Sequence, residues 1–135
     1  MNDPRFAVLI VEDDEKLQDV IRTILAGDAT SIDLASDGER AIEMLQESTY
    51  DIVVLDLMLP KKNGLVVAES LASLSYQPRL IVLSVISRYF DDRFPAGTLV
   101  LQKPSGIDKL AETVRGIRAE LQRDEPLSAP APASS

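Results

Sequence analysis

Cysteine and histidine are both missing from the 135-residue chain. The first absence excludes disulfides and thiolate metal sites. The second excludes Ser-His-Asp triads, histidine acid–base work, histidine zinc ligands and any role as a phosphohistidine carrier. No apolar run approaches the length of a membrane span, and the start Met-Asn-Asp-Pro-Arg has no signal-peptide pattern. The expectation is therefore a cytoplasmic protein without membrane contact. No Gly-x-x-x-x-Gly-Lys-Ser/Thr stretch occurs, which removes a P-loop nucleotide hydrolase. The chemistry left to the chain runs on carboxylates, lysine and hydroxyls.

Positive charge is scarce where negative charge is dense. Up to Asp56 there are 14 acidic and 4 basic residues, or −10; from Leu57 onward there are 8 acidic and 10 basic, or +2, giving the net −8. A net acidic chain has no overall pull toward polyanions, so no direct nucleic-acid binding is expected, whereas divalent cations suit it. With 45% hydrophobic residues, a chain of this length can fill one domain core.

Short β-branched runs alternate with helical patterns. Phe6 to Val11 (FAVLIV) reads as a strand covered on both faces, and it ends abruptly in Glu12, Asp13, Asp14 and Glu15. Leu17, Val20, Ile21, Ile24 and Leu25 then recur at helical spacing before Gly27. Ile32 to Ala35 reads as a short strand, and Ser36-Asp-Gly-Glu39 as a capping box opening a helix that buries Ile42 and Leu45. Ile52 to Leu55 ends on Asp56; a loop with Pro60 and Asn63-Gly64 leads to a helical pattern through Leu65, Ala68 and Leu71. Leu80 to Leu83 ends at Ser84, and Thr98 to Leu101 ends just before Lys103-Pro104. Ile107, Leu110, Val114, Ile117 and Leu121 mark a last amphipathic helix, weakened by Gly116. The expected fold is α/β: a five-stranded parallel sheet with right-handed crossovers. Residues 1–121 form the domain, and 122–135, rich in proline, alanine and serine, read as a flexible tail.

In an open parallel sheet, ligands bind at the carboxyl ends of the strands. Glu12 and Asp13, Asp56, Ser84 and Lys103 come from four strands and meet at that one edge. Any one of them alone is what a strand exiting into solvent requires; five positions of complementary chemistry are harder to explain that way. Three carboxylates brought close raise one another's pKa unless a cation intervenes. Mg²⁺, or Mn²⁺, takes one or two carboxylates together with waters and phosphate oxygens. One acid is then placed to act as a nucleophile toward a phosphoryl group, with the lysine and the hydroxyl as donors.

VLIVEDDEKL, DIVVLDLMLPKKNG, the strand ending on Ser84 and Lys103-Pro104 together resemble the receiver domain of two-component response regulators, over about residues 5 to 121. The resemblance implies a doubly wound, flavodoxin-like arrangement of the sheet and helices, and it implies that Asp56 is the phosphoacceptor. Asp13 would be a direct Mg²⁺ ligand, Glu12 a neighbouring acid acting directly or through water, and Met58 a donor of its backbone carbonyl to the metal. Lys103 would contact the phosphoryl group and precede a cis proline, and Ser84 would be the hydroxyl that reports phosphorylation. The implied partner is a sensor histidine kinase or histidine phosphotransfer protein, with an unknown downstream protein. The expected form is a stand-alone regulator, a monomer or weak dimer, and not an enzyme beyond assisting its own phosphorylation and dephosphorylation.

Three departures from the family pattern follow. Val85 stands after the hydroxyl, where a very small residue is usual, and should narrow access to Asp56. Val100 stands where the family's aromatic switch residue is expected. The segment between Ser84 and Lys103 is short and has no helical stripe, so the fourth helix of the family is expected to be short or replaced by a loop. That segment holds Tyr89, Phe90 and Phe94, three of six aromatics. They read either as a patch over the core or as a partner-binding face. Its Phe94-Pro-Ala-Gly97 is partly similar to the Phe-Ala-Thr-Gly signature of one subgroup of single-domain receivers. The competing functions are a non-phosphorylated docking module and a receiver excised from a larger hybrid kinase or regulator. A phosphatase of the haloacid dehalogenase type would carry an aspartate where Met58 stands.

Overall fold

The structure, a computed structural model, describes residues 6–27, 31–59, 63–85 and 93–128, the last six by their backbone alone. Five strands form one parallel sheet: β1 Ala7–Val11, β2 Ser31–Ala35, β3 Ile52–Asp56, β4 Arg79–Ser84 and β5 Leu99–Gln102, in the order β2-β1-β3-β4-β5. Four helices flank it: α1 Glu15–Leu25, α2 Gly38–Glu47, α3 Gly64–Ser70 and α4 Leu110–Ser128. A 3₁₀ turn extends α3 over Leu71–Ser73, and another, Ser105–Lys109, leads into α4.

The strand sequences are continuously apolar because both faces are covered, and alternate residues go to opposite faces. Val8, Ile10, Ile52, Val54, Ile81 and Leu83 join one core with Ile21 and Leu25 of α1 and Leu110, Val114 and Ile117 of α4. Leu9, Val11, Val53, Leu55, Leu80 and Val82 join the other with Ala41 and Leu45 of α2 and Val67, Ala68 and Leu71 of α3. This is the doubly wound architecture expected, and its topology sends the ends of β1, β3, β4 and β5 to one edge.

Several local expectations shift. The cap of α2 is Asp37, not Ser36: the Asp37 carboxylate accepts the Arg40 amide at 2.8 Å, while Ser36 is spent elsewhere. Val20 lies off the buried stripe of α1 and is 46% exposed. Asp14 is more than a first-turn acid, since it caps α1 by accepting the Lys16 and Leu17 amides at 2.9 and 3.2 Å. Helix α4 runs to Ser128, so the backbone of residues 122–128, expected to begin the tail, continues the last helix.

Among the described residues no helix lies between β4 and β5, in line with a fourth family helix that is short or missing. Phe94 packs on the same core as Val100, Leu80 and Val82, so this aromatic does patch the core. Tyr89, Phe90, Pro60 and residues 129–135 lie outside the described residues. No helix among the described residues is long and apolar enough to cross a membrane.

Candidate functional site

Strand β3 is buried along its whole length and delivers Asp56, 4% exposed, to the carboxyl edge. Strand β1 ends one residue before Glu12, 1% exposed, with Asp13 exposed beside it. One carboxylate oxygen from each of Glu12, Asp13 and Asp56 lies within 4.8 Å of the others. The register places Asp56 opposite Leu83 and Ser84 opposite Gln102, so Ser84, 5% exposed, sits one step beyond Asp56's neighbour. Lys103 follows β5; its amide donates to the Ser84 carbonyl at 2.7 Å, and the Lys103–Pro104 peptide is cis. All five strand-end residues therefore converge, and Met58 stands at the rim with its side chain 75% exposed.

The Lys103 ammonium donates to Asp56 Oδ2 at 3.1 Å and to Glu12 Oε1 at 3.4 Å. The Met58 amide donates to Asp56 Oδ1 at 3.0 Å, so both oxygens of Asp56 carry a donor. Burial pushes the Glu12 carboxyl up to about 7; Asp56 adds to that rise, while the Asp14 amide and Lys103 oppose it. Burial alone would lower the Lys103 pKa, but the attraction of Asp56 and Glu12 outweighs it and the net direction is upward. A dense set of hard oxygen donors with one ammonium beside it fits a small divalent cation, as either Mg²⁺ or Mn²⁺.

Two residues of this edge escaped the sequence reading. Gly64 opens α3 directly against the β3 exit: its amide donates to the Leu57 carbonyl at 2.9 Å, and a Cβ there would stand 2.4 Å from Leu57 Cα and 2.8 Å from the Asp56 carbonyl oxygen. The Asn63-Gly64 pair was legible as a turn, but not as a backbone contact with the acid's own strand. Gln18 of α1 is 7% exposed, and its side-chain amide donates to the Glu12 carbonyl at 2.5 Å and to Ser36 Oγ at 3.3 Å. A polar residue inside an apolar stripe was the available signal.

Of the departures, Val85 sits at the rim and Val100 does not. Val85 follows Ser84 and is 64% exposed, and Val100 is half-buried in the core that Phe94 covers. A cavity of about 830 Å³ lies at the opposite, amino-terminal edge of the sheet, beside Tyr50 and Tyr76. Its tyrosine hydroxyls are engaged by Asp33 at 2.7 Å and by the Ser48 carbonyl at 2.9 Å, and no residue of the acid edge borders it.

Comparison with known proteins agrees with this fold. The response regulator receiver domain family matches residues 8–115, and the chain belongs to that family. Among curated relatives, the DNA-binding response regulator MtrA of Mycolicibacterium smegmatis is 32% identical over 132 residues, covering 93% of this chain and 54% of its own length. The chain spans about half the length, or less, of the curated relatives it matches. Among solved structures, the receiver domain of the Francisella response regulator 1452 superposes with a TM-score of 0.75 at 25% identity, covering 85% of this chain and 98% of that one. The receiver domain of the sensor histidine kinase PA1611 of Pseudomonas aeruginosa, solved with magnesium in its active-site cleft, has a TM-score of 0.73 over 86% of this chain and 99% of that one. At 20% identity it shares the fold. The chain is thus a two-component signalling module of a family that works with histidine kinases.

Proposed function

We propose that Asp56 accepts a phosphoryl group from a phosphohistidine of a sensor histidine kinase or histidine phosphotransfer protein, and that the modified edge changes which downstream protein the chain binds. The observation that carries this is a buried Asp56 held 3.1 Å from Lys103 within a cluster of three carboxylates. An Asp56 oxygen attacks phosphorus, the P–N bond breaks, and the partner's imidazole leaves with the electron pair. Lys103 moves its donor from the carboxylate to a phosphoryl oxygen, and Ser84, at the end of the neighbouring strand, turns its hydroxyl to another. Glu12, Asp13 and Asp56, with the Met58 carbonyl, would hold Mg²⁺ or Mn²⁺, which when bound offsets charge on the transferring phosphoryl group. Water later cleaves the acyl phosphate, returning the carboxylate and inorganic phosphate. These 135 residues hold no histidine, so a donor phosphohistidine lies outside them.

The test is incubation with Mg²⁺ and acetyl phosphate, and with Asp56→Asn as control. Mass gain of one phosphoryl group in the parent alone supports the reading. No gain with acetyl phosphate or with a phosphorylated kinase turns the reading toward a docking module. Gain in both parent and variant refutes Asp56 as the acceptor.

A further inference from the structure

We infer that Gln18 is a positioning residue for the cation site: its buried side chain fixes the peptide that carries Glu12 and ties it to the loop before α2. The inference deepens the proposed function and rests on it. Glu12 stands just past the end of β1, and the ladder holds its amide but not its carbonyl. Both backbone groups of the residue are nonetheless engaged. The Glu12 amide donates to the Ala35 carbonyl at 3.0 Å, and the Glu12 carbonyl accepts from Gln18 Nε2 at 2.5 Å. The second proton of the same side-chain nitrogen goes to Ser36 Oγ at 3.3 Å. The Glu12 carboxylate then reaches back to accept the Asp14 amide at 3.1 Å through Oε2, which leaves Oε1 facing Lys103 and the acid cluster.

Gln18 is 7% exposed and sits on the core-facing side of α1, beside Ile21 and Leu25. A buried amide on an apolar stripe is costly unless its hydrogen bonds are made. The amide is used on two acceptors, the Glu12 carbonyl and Ser36, and both flank the exits of β1 and β2. Groups that orient metal ligands without touching the metal commonly change metal affinity by about tenfold or more when removed. Gln18 touches neither the acid oxygens nor the phosphoryl path, so its removal should weaken cation binding and leave the chemistry of the loaded site intact.

The experiment compares the parent, Gln18→Leu and Ser36→Ala. Leucine keeps the bulk and removes both donors; alanine at 36 removes one acceptor and leaves the helix untouched. Mg²⁺ affinity is measured by calorimetric titration at pH 8, alongside cooperative urea unfolding to establish that each variant is folded. Acetyl phosphate phosphorylation is then followed at limiting and at saturating Mg²⁺. The expected result is a dissociation constant about tenfold higher in Gln18→Leu, a smaller rise in Ser36→Ala, and the parent's phosphorylation rate restored in both at saturating Mg²⁺. An unchanged Mg²⁺ affinity in folded Gln18→Leu overturns the inference. Should that variant not fold, unchanged affinity in Ser36→Ala overturns it instead. A rate that stays low at saturating Mg²⁺ also refutes it, because the residue would then be acting on the transfer step. A parent that binds no Mg²⁺ at all sinks the reading of the site itself, which separates that failure from this one.

Discussion

Replacing Glu12 by glutamine removes one charge from the acid edge while nearly preserving its shape, and the effect on stability should depend on pH in a defined direction. The Glu12 carboxyl is 1% exposed and titrates near 7, against an ordinary value of 4.5 for a solvated glutamate. Between those two values the folded chain holds a proton that the unfolded chain has released, so stability falls as pH rises through that window and stays lower above it. Each pH unit corresponds to about 1.4 kcal/mol, and the whole window to about 3 kcal/mol. Glutamine abolishes this loss but keeps only one acceptor oxygen. It can serve the Asp14 amide or Lys103, not both, which returns about 1 kcal/mol. The expected net result, with divalent cations chelated, is a variant about 2 kcal/mol more stable than the parent at pH 8 and no more stable at pH 4.5. Urea unfolding followed by far-ultraviolet circular dichroism from pH 4.5 to 8 measures this directly. Adding Mg²⁺ at pH 8 should stabilise the parent and fail to stabilise Glu12→Gln. Equal stability of the two chains at pH 8, or a gain that is the same at pH 4.5, refutes the reasoning about a buried, repelled carboxylate.

Two further outcomes follow from the same edge. Gly64→Ala should cost about 3 kcal/mol and slow phosphorylation, because its Cβ would drive into the Leu57 backbone at 2.4 Å; unfolding and mass-resolved phosphorylation read both, and a variant as stable as the parent would remove the contact from the account. Val85→Ala should speed phosphoryl loss from Asp56, acetyl phosphate loading, or both, by opening the rim next to Ser84; unchanged kinetics in a time course would sink that role for the valine.

The acid edge could be read in the chain because each of its members stands where a β-branched run stops. Asp56 after IVVL and Lys103 after LVLQ are placed by the strands themselves, and strand order then brings them together. Local pattern was less informative where two acceptable residues compete for one role. Ser36 and Asp37 are both good helix caps, and the choice went to Asp37 because Ser36 faces Gln18. Gln18 could be marked as a polar residue inside an apolar stripe, but its role could not be read, since its partners are a carbonyl and a hydroxyl on other elements. Gly64 was visible only as a turn former, because the surface it must avoid belongs to a strand that precedes it in the chain. The extent of α4 was not legible for a different reason: residues 122–128 carry no apolar periodicity and include Pro126, yet their backbone continues the helix.

Strand β5 is one of the two edge strands, short and partly exposed, with a ladder on one side only. Lys103 gives it a second attachment, an ionic one, to the acids at the exits of β1 and β3. Peeling this strand away would therefore do more than break a few hydrogen bonds; it would strip two buried carboxylates of their counter-charge. The edge strand and the acid centre are for that reason one cooperative unit. Protection of the Leu99–Gln102 amides against solvent exchange should accordingly follow the charge state of Glu12, although no residue of β5 titrates.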